Sequence, residues 1–442
     1  MLLAVALIAF GALGGAIFKR TPGLAIYGFI ATIVLFPGIA RGSVTPFLHP
    51  SLFILIGLLI AQLGNKRAPR SQASITTRLL LSIATLISAY ALIESFFGIQ
   101  AVGWWVTTTL SYVLLPPLAY LVLREAQSRG QVTTRGISIL IALLVLFESA
   151  LGMLQTALGE PVVWEMLFSS QWWWQFPLTR AIGTMGHWIP YALFISAALP
   201  LLIYSRSKFL ILSVVPVAMI AILLSQSRAG IILGVLGALF AVLGVIATTG
   251  FRRSLPTVLA IAIIAALAIP YLGSVEAISR FGAAGEASDL LRTTGLQWFI
   301  ENSPTIAVYG DAGFTDPRGN GALTSSLENG FLMFAVNWGV VPAVALFVLH
   351  LCGIVRTGLD YGISAIPAIT SASLVLVGMN VYSSFMAENV DVLLFWVFLS
   401  LGADGGSRRP HFRLAPSTRE ARRRGSLSTD MLPQPRGRES LE

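Results

Sequence analysis

The stretch FLILSVVPVAMIAILLSQSRAGIILGVLGALFAVLGVIATTG, Phe209 to Gly250, decides the fold. Two apolar runs, 209–225 and 229–249, meet at Ser225-Gln226-Ser227-Arg228. Each is long enough to cross a bilayer as a helix. Arg228 is the only charge in the stretch. A guanidinium so placed is expensive in lipid unless it faces a protein interior or binds an anion.

The rest of the chain repeats this pattern. Of 442 residues, 55% are hydrophobic and 11% charged, with mean hydropathy +0.79. Soluble domains carry roughly 25% charged residues, so this chain lacks the polar surface that water requires. The reading is an all-α polytopic membrane protein of about 12–13 transmembrane helices. Apolar runs place them near 1–18, 22–40, 46–63, 79–97, 103–123, 137–157, 187–204, 209–225, 229–249, 255–272, 330–350, 364–384 and 388–402. Pro50 interrupts the third run. The first has neither a basic n-region nor a cleavage-site pattern and reads as a retained span. A single cysteine, Cys352, excludes an internal disulfide and a cysteine-based metal cluster.

The 29 basic residues orient the bundle. All but Arg41, Arg180, Arg228, Arg280, Arg292 and Arg318 fall on one side, in the connections after alternate spans and in the tail. That side is the cytoplasm, so the net charge of +9 is a topology signal and not a nucleic-acid footprint. Residues 1–402 form the membrane domain. The tail, 403–442, is rich in Arg, Ser and Pro and is expected to be disordered.

Two long outer connections, 159–186 and 273–329, carry the functional candidates. The first holds Trp164, Trp172-Trp173-Trp174 and Arg180. Indoles suit a membrane interface, and their faces also stack on sugars. In the second, a helix near Asp289–Ile300 carries Arg292, Pro304 ends it, and a glycine-rich segment leads to Glu328-Asn329. Structural roles stand beside functional ones. Arg228, near a span end, suits a snorkelling position; Arg180 and Arg292 suit loop salt bridges, His187 packing, and Glu328 a helix cap. Glu148 lies near mid-span and needs a partner.

Four segments resemble the O-antigen ligase and polysaccharide polymerase superfamily of bacterial envelope proteins. They are Phe147-Glu148 through Leu154-Gln155, Gly183-Thr184-Met185-Gly186-His187, Ser225-Gln226-Ser227-Arg228-Ala229-Gly230, and Arg292 to Trp298 followed by Pro304, Gly310 and Glu328-Asn329-Gly330-Phe331-Leu332. The resemblance spans about residues 140–350 and implies a GT-C-like membrane fold with a large extracytoplasmic loop. It also implies a metal-independent, cofactor-free inverting glycosyltransferase in the bacterial plasma membrane, with a cytoplasmic C-terminus. The donor would be an undecaprenyl-diphosphate-linked oligosaccharide and the acceptor a sugar hydroxyl on a glycan or lipid-linked acceptor. Membrane lipids and other polysaccharide export proteins would be its partners, and nucleic acid would not.

Where the family's ligases have His-Asn-x-x-Leu, this chain has Glu328-Asn329-x-x-Leu332, which favours polymerase over ligase. On this reading Glu328, Arg228 and His187 are catalytic, with His187 the rival base to Glu328. Arg180, Arg228, Arg292 and Asn329 bind the diphosphate and glycan. The competing reading is a transporter or flippase of a lipid-linked glycan or small anion. Transporters, however, place coupling residues at mid-membrane on broken helices, often within repeats.

Overall fold

Helix starts in this chain are set by prolines and capping side chains, which fix both ends of the bundle. The computed structural model describes residues 17–38, 48–63, 82–90, 108–168, 179–249, 283–310, 327–382 and 390–402, with positions 14, 93 and 259. Pro22 opens α1 (Pro22–Leu35) and Pro50 opens α2 (Pro50–Leu63). A ring with φ already near the helical value is well placed in a first turn. Pro50 therefore starts a helix where the sequence reading has it interrupt one, and His49 Nδ1 accepts from Ser51 N at 3.3 Å.

A π-helical turn, Thr109–Leu114, leads into α3 (Leu115–Ser128). The Thr133 hydroxyl caps α4 (Thr134–Leu158), which stops at Gly159 in the left-handed region. His187 caps α5 (Trp188–Ala198), which tightens to a 3-10 segment over Leu199–Ser205. Ser207 caps α6 (Lys208–Leu224), and α7 runs Arg228–Thr249. After α8 (Ala283–Asn302) come α9 (Gly330–Trp338) and α10 (Val340–Tyr361). Then follow α11 (Ile366–Met379) and α12 (Asp391–Ser400). Every element among the described residues is helical.

Two of these helices form the centre. α5 is buried at every residue from Pro190 to Ala198, and α12 from Asp391 to Ser400. α7 approaches α5, its 3-10 extension and α6 along Gly230, Gly234, Gly237 and Gly244, where a Cβ would meet Ala192, Ile222, Ser196 and Ile203 in turn. Small residues at such a seam let backbones close in, and Ser196 Oγ donates to Gly230 O at 3.0 Å.

The outer helices are apolar outward as well. α7 exposes Ile232, Val235, Leu236, Leu239 and Leu243, and α10 exposes Val341, Val344, Val348, Leu351, Val355 and Leu359. A helix apolar on both faces belongs in lipid. Thr134–Leu158, Trp188–Ser205, Arg228–Ala247 and Val340–Met379 are long and apolar enough to cross a membrane. By this measure the chain is an all-helical membrane protein.

Long-range contacts sort the helix ends into two groups. At one end Gln62 Nε2 donates to Val122 O (3.3 Å), Arg124 pairs with Asp360 (3.4 Å) and Tyr204 donates to Ser364 O (2.7 Å). At the other, Trp164 Nε1 donates to Leu35 O (3.0 Å), Thr184 Oγ1 to Val34 O (2.7 Å), and Ala181 N to Leu224 O (3.0 Å). The first group contains the flanks of the Arg-bearing connections, as alternate crossing requires.

One span is not continuous. The sequence reading carries a helix over 330–350, but the chain breaks at Gly339, whose φ is 103°. Pro342 supplies the reason, because its ring would collide with the Trp338 carbonyl if one helix continued. The first amides of α10 instead find outside acceptors: Val340 N donates to Ile306 O and Val341 N to Ala307 O, both at 3.1 Å. A Cβ at Gly339 would run into Val308 O. Gly339→Ala is expected to cost about 1–3 kcal/mol, checked as a drop in thermal midpoint against Gly358→Ala, whose Cβ meets only ordinary contact.

The chain divides into residues 1–404 and 405–442. The second unit, with nearly all of the basic tail expected over 403–442, lies outside the described residues. So do Trp172-Trp173-Trp174, most of the 1–18 span, the 255–272 span except Leu259, and parts of both long loops.

Candidate functional site

Arg228 owes its position to the residues just before it. Ser225 Oγ accepts from Ser227 N at 3.2 Å, and Gln226 turns the chain through a left-handed φ of 53°. Ser227 Oγ then caps α7 by accepting from Gly230 N at 3.1 Å. The two serines thus make the turn and the cap, and Arg228 is the first helical residue. Here the helix dipole is positive, so an anion is favoured beside the guanidinium on two counts.

Arg180 is brought to the same turn. Ala181 N donates to Leu224 O at 3.0 Å and Gln226 Nε2 to Thr179 O at 3.2 Å, so hydrogen bonds flank Arg180 on both sides. The Arg180 guanidinium lies over the Trp188 ring, 4.2 Å from its centroid, and His187 stacks on the same ring at 4.0 Å. Nothing in the sequence marks Trp188 as a support for Arg180. Trp188→Ala should cost about 1 kcal/mol, the loss of the cation–π attraction, with Trp188→Phe recovering part of it; thermal melts of the two variants check this.

The loop carrying Arg180 and His187 is clasped from α4. Glu148 Oε2 accepts from Thr184 N at 2.8 Å, and Glu148 Oε1 lies 2.6 Å from Thr184 Oγ1. Two turns on, Gln155 Nε2 donates to Gly183 O at 3.0 Å. Glu148 has the partner its depth demands, and it shapes the loop.

His187 is a cap. Its Nδ1 accepts from Ile189 N at 3.2 Å, which in a neutral ring places the hydrogen on Nε2. The imidazole therefore carries its hydrogen on Nε2 and keeps its Nδ1 lone pair for the backbone.

Arg292 and Glu328, 36 residues apart, form an ion pair: Arg292 Nε donates to Glu328 Oε2 at 2.7 Å, and a terminal nitrogen reaches the same oxygen. Both side chains are half-exposed. The sequence reading gave them separate roles and left Glu328 the option of capping the next helix. The cap is Asn329, whose Oδ1 accepts from Leu332 N at 3.0 Å. Asn329 Nδ2 also donates to Asn380 Oδ1 at 3.3 Å, and Asn380 Nδ2 to Leu376 O at 2.8 Å, which ties the start of α9 to the end of α11. α8 itself, expected near 289–300, runs Ala283–Asn302 and packs Trp298 and Phe299 against Ile306, Leu327, Met333 and Val336.

Two arrangements result. Arg180 and Arg228 lie on segments fastened to each other, beside a neutral His187 donor. Arg292 and Glu328 form a second, with Asn329 adjoining. The first can hold an oxyanion, and the second can hold a carboxylate in a fixed pose. No family model and no curated protein matches the chain.

Proposed function

We propose that this chain is a multi-pass glycosyltransferase of the bacterial plasma membrane, of the O-antigen ligase and polymerase kind, with polymerisation the favoured activity. It would move glycan from an undecaprenyl-diphosphate carrier to a sugar hydroxyl on the outer face. The observation that carries this reading is the fastening of the Arg180 segment to the Arg228 turn. Two guanidinium-bearing segments converge at the end of the bundle opposite the one that gathers basic connections. By the positive-inside rule, that arrangement supports arginines on the outer face and a cytoplasmic C-terminus.

The chemistry follows from these groups. The bond from the anomeric carbon to the diphosphate oxygen breaks, and its electron pair stays on that oxygen. Arg228 and Arg180 meet the charge that develops there, with His187 Nε2 as a further donor. The acceptor hydroxyl attacks from the opposite face of the sugar, inverting the anomeric centre, and gives its proton to Glu328. Arg292 holds Glu328 Oε2, so Oε1 is the oxygen that takes the proton. Asn329 steadies the start of α9 beside it. This assigns His187 a donor's part where the sequence reading made it the rival base.

Purified protein in liposomes, supplied with glycan-diphosphate-undecaprenol and acceptor, tests the reading. The expected result is release of the carrier diphosphate and growth of the acceptor without nucleotide. Movement of the lipid between leaflets with no release would overturn it in favour of a transporter.

A further inference from the structure

The end of the bundle remote from this site holds a second arginine cluster, and its charges do not balance. Arg124, on α3, donates to the Tyr120 hydroxyl at 2.8 Å, to the Tyr361 hydroxyl, and to Asp360 Oδ2 at 3.4 Å. Its guanidinium also lies over both tyrosine rings, 5.2 and 4.8 Å from their centroids. Arg356, one turn before Asp360 on α10, pairs with Asp360 Oδ1 at 2.8 Å. The Tyr120 hydroxyl is 3.1 Å from Thr357 Oγ1.

Two guanidinium groups thus share one carboxylate. The side chains of Arg124, Arg356 and Asp360 are only 23%, 21% and 17% exposed, so water screens the surplus charge poorly. Arg356 Nε is buried and takes no hydrogen bond among the described residues. Beside the cluster, α10 and the turn after it expose Val355, Leu359 and Ile363. A ligand that satisfies both features has an anionic head and an apolar body.

We infer that Arg124 and Arg356 form a seat for one phosphate of an anionic phospholipid. The head lies against the two guanidinium groups, and an acyl chain runs over Val355, Leu359 and Ile363. Guanidinium forks match phosphate oxygens bidentately, and the Tyr120 and Tyr361 hydroxyls hold the Arg124 guanidinium in place. A free phosphate shares the head chemistry and has no use for the apolar strip.

The test uses the full chain in bilayers of zwitterionic lipid into which phosphatidylglycerol is titrated, with thermal midpoint as the readout. The native protein should gain stability as phosphatidylglycerol rises. Arg356→Gln should need about fivefold more of it for half the gain, the fold-change that corresponds to about 1 kcal/mol per basic residue. Asp360→Asn removes the competing carboxylate and should need less. A purely structural network would shift every midpoint without changing its lipid dependence. Identical phosphatidylglycerol curves for the three proteins, or shifts of both variants in one direction, would overturn the proposal. So would inorganic phosphate reproducing the whole gain in zwitterionic bilayers, since the ligand would then be the free anion.

Discussion

Arg228→Lys is expected to lower glycan-transfer turnover by about two to three orders of magnitude while leaving thermal stability within about 0.5 kcal/mol of the native protein. The two halves of this expectation have separate causes. Turnover falls because an ammonium is a point charge and cannot present two parallel N–H bonds to a diphosphate. Stability holds because lysine keeps the positive charge and the apolar stem, while the local backbone is shaped by other residues. The turn is made by Ser225 and Gln226, the cap by Ser227, and the approach to α5 by Gly230. Single-turnover release of carrier diphosphate, measured beside circular dichroism melts, separates the two halves. A lysine variant with native turnover would remove Arg228 from the chemistry. One that melts early would make it a structural residue.

How much of this was legible in the sequence depends on the distance over which each feature acts. Helix positions follow from apolar runs and local stop signals, and Thr133, Ser207 and Gly159 end or begin helices where such residues should. The break at Gly339 was written locally too, in Gly339 and Pro342, but the unbroken apolarity on both sides of it masks the signal in a membrane chain. What could not be read is pairing. Arg292 and Glu328 are 36 residues apart, as are Glu148 and Thr184, and Arg124 and Asp360 are 236 apart. Nothing in composition or spacing says that a carboxylate on one helix will meet a particular loop. Residues of the site could be named as types, whereas their partners required the fold. The supports Trp188 and Gln226 were missed for the same reason, since Gln226 matters only through a neighbour distant in sequence and Trp188 through a stack that no pattern announces.

The same clasp yields the largest expected change in stability, and hydrogen counting gives it a sign. Thr184 Oγ1 lies 2.7 Å from Val34 O and 2.6 Å from Glu148 Oε1, yet a hydroxyl has one hydrogen to give. A backbone carbonyl can only accept, so the Thr184 hydrogen goes to Val34. The short contact to Oε1 then requires a hydrogen from Glu148 itself, while Oε2 accepts from Thr184 N at 2.8 Å. A neutral carboxyl also suits a side chain with no exposed surface whose hydrogen bonds run to a threonine. Glutamine reproduces this pattern, with its amide nitrogen in place of Oε1 and its oxygen in place of Oε2. Glu148→Gln should therefore melt within about 1 kcal/mol of the native protein. Glu148→Ala leaves the buried Thr184 amide without an acceptor and opens a cavity, and should cost about 3 kcal/mol or more. Since Gly183, at φ 54° and packed on Glu148 Oε2, carries the strand of loop that leads to His187, the alanine variant should also lose transfer activity in proportion to its loosened loop. Thermal melts of the two variants decide the matter: a glutamine as damaging as alanine would mean that Glu148 is held as a carboxylate and that the clasp is made of charge.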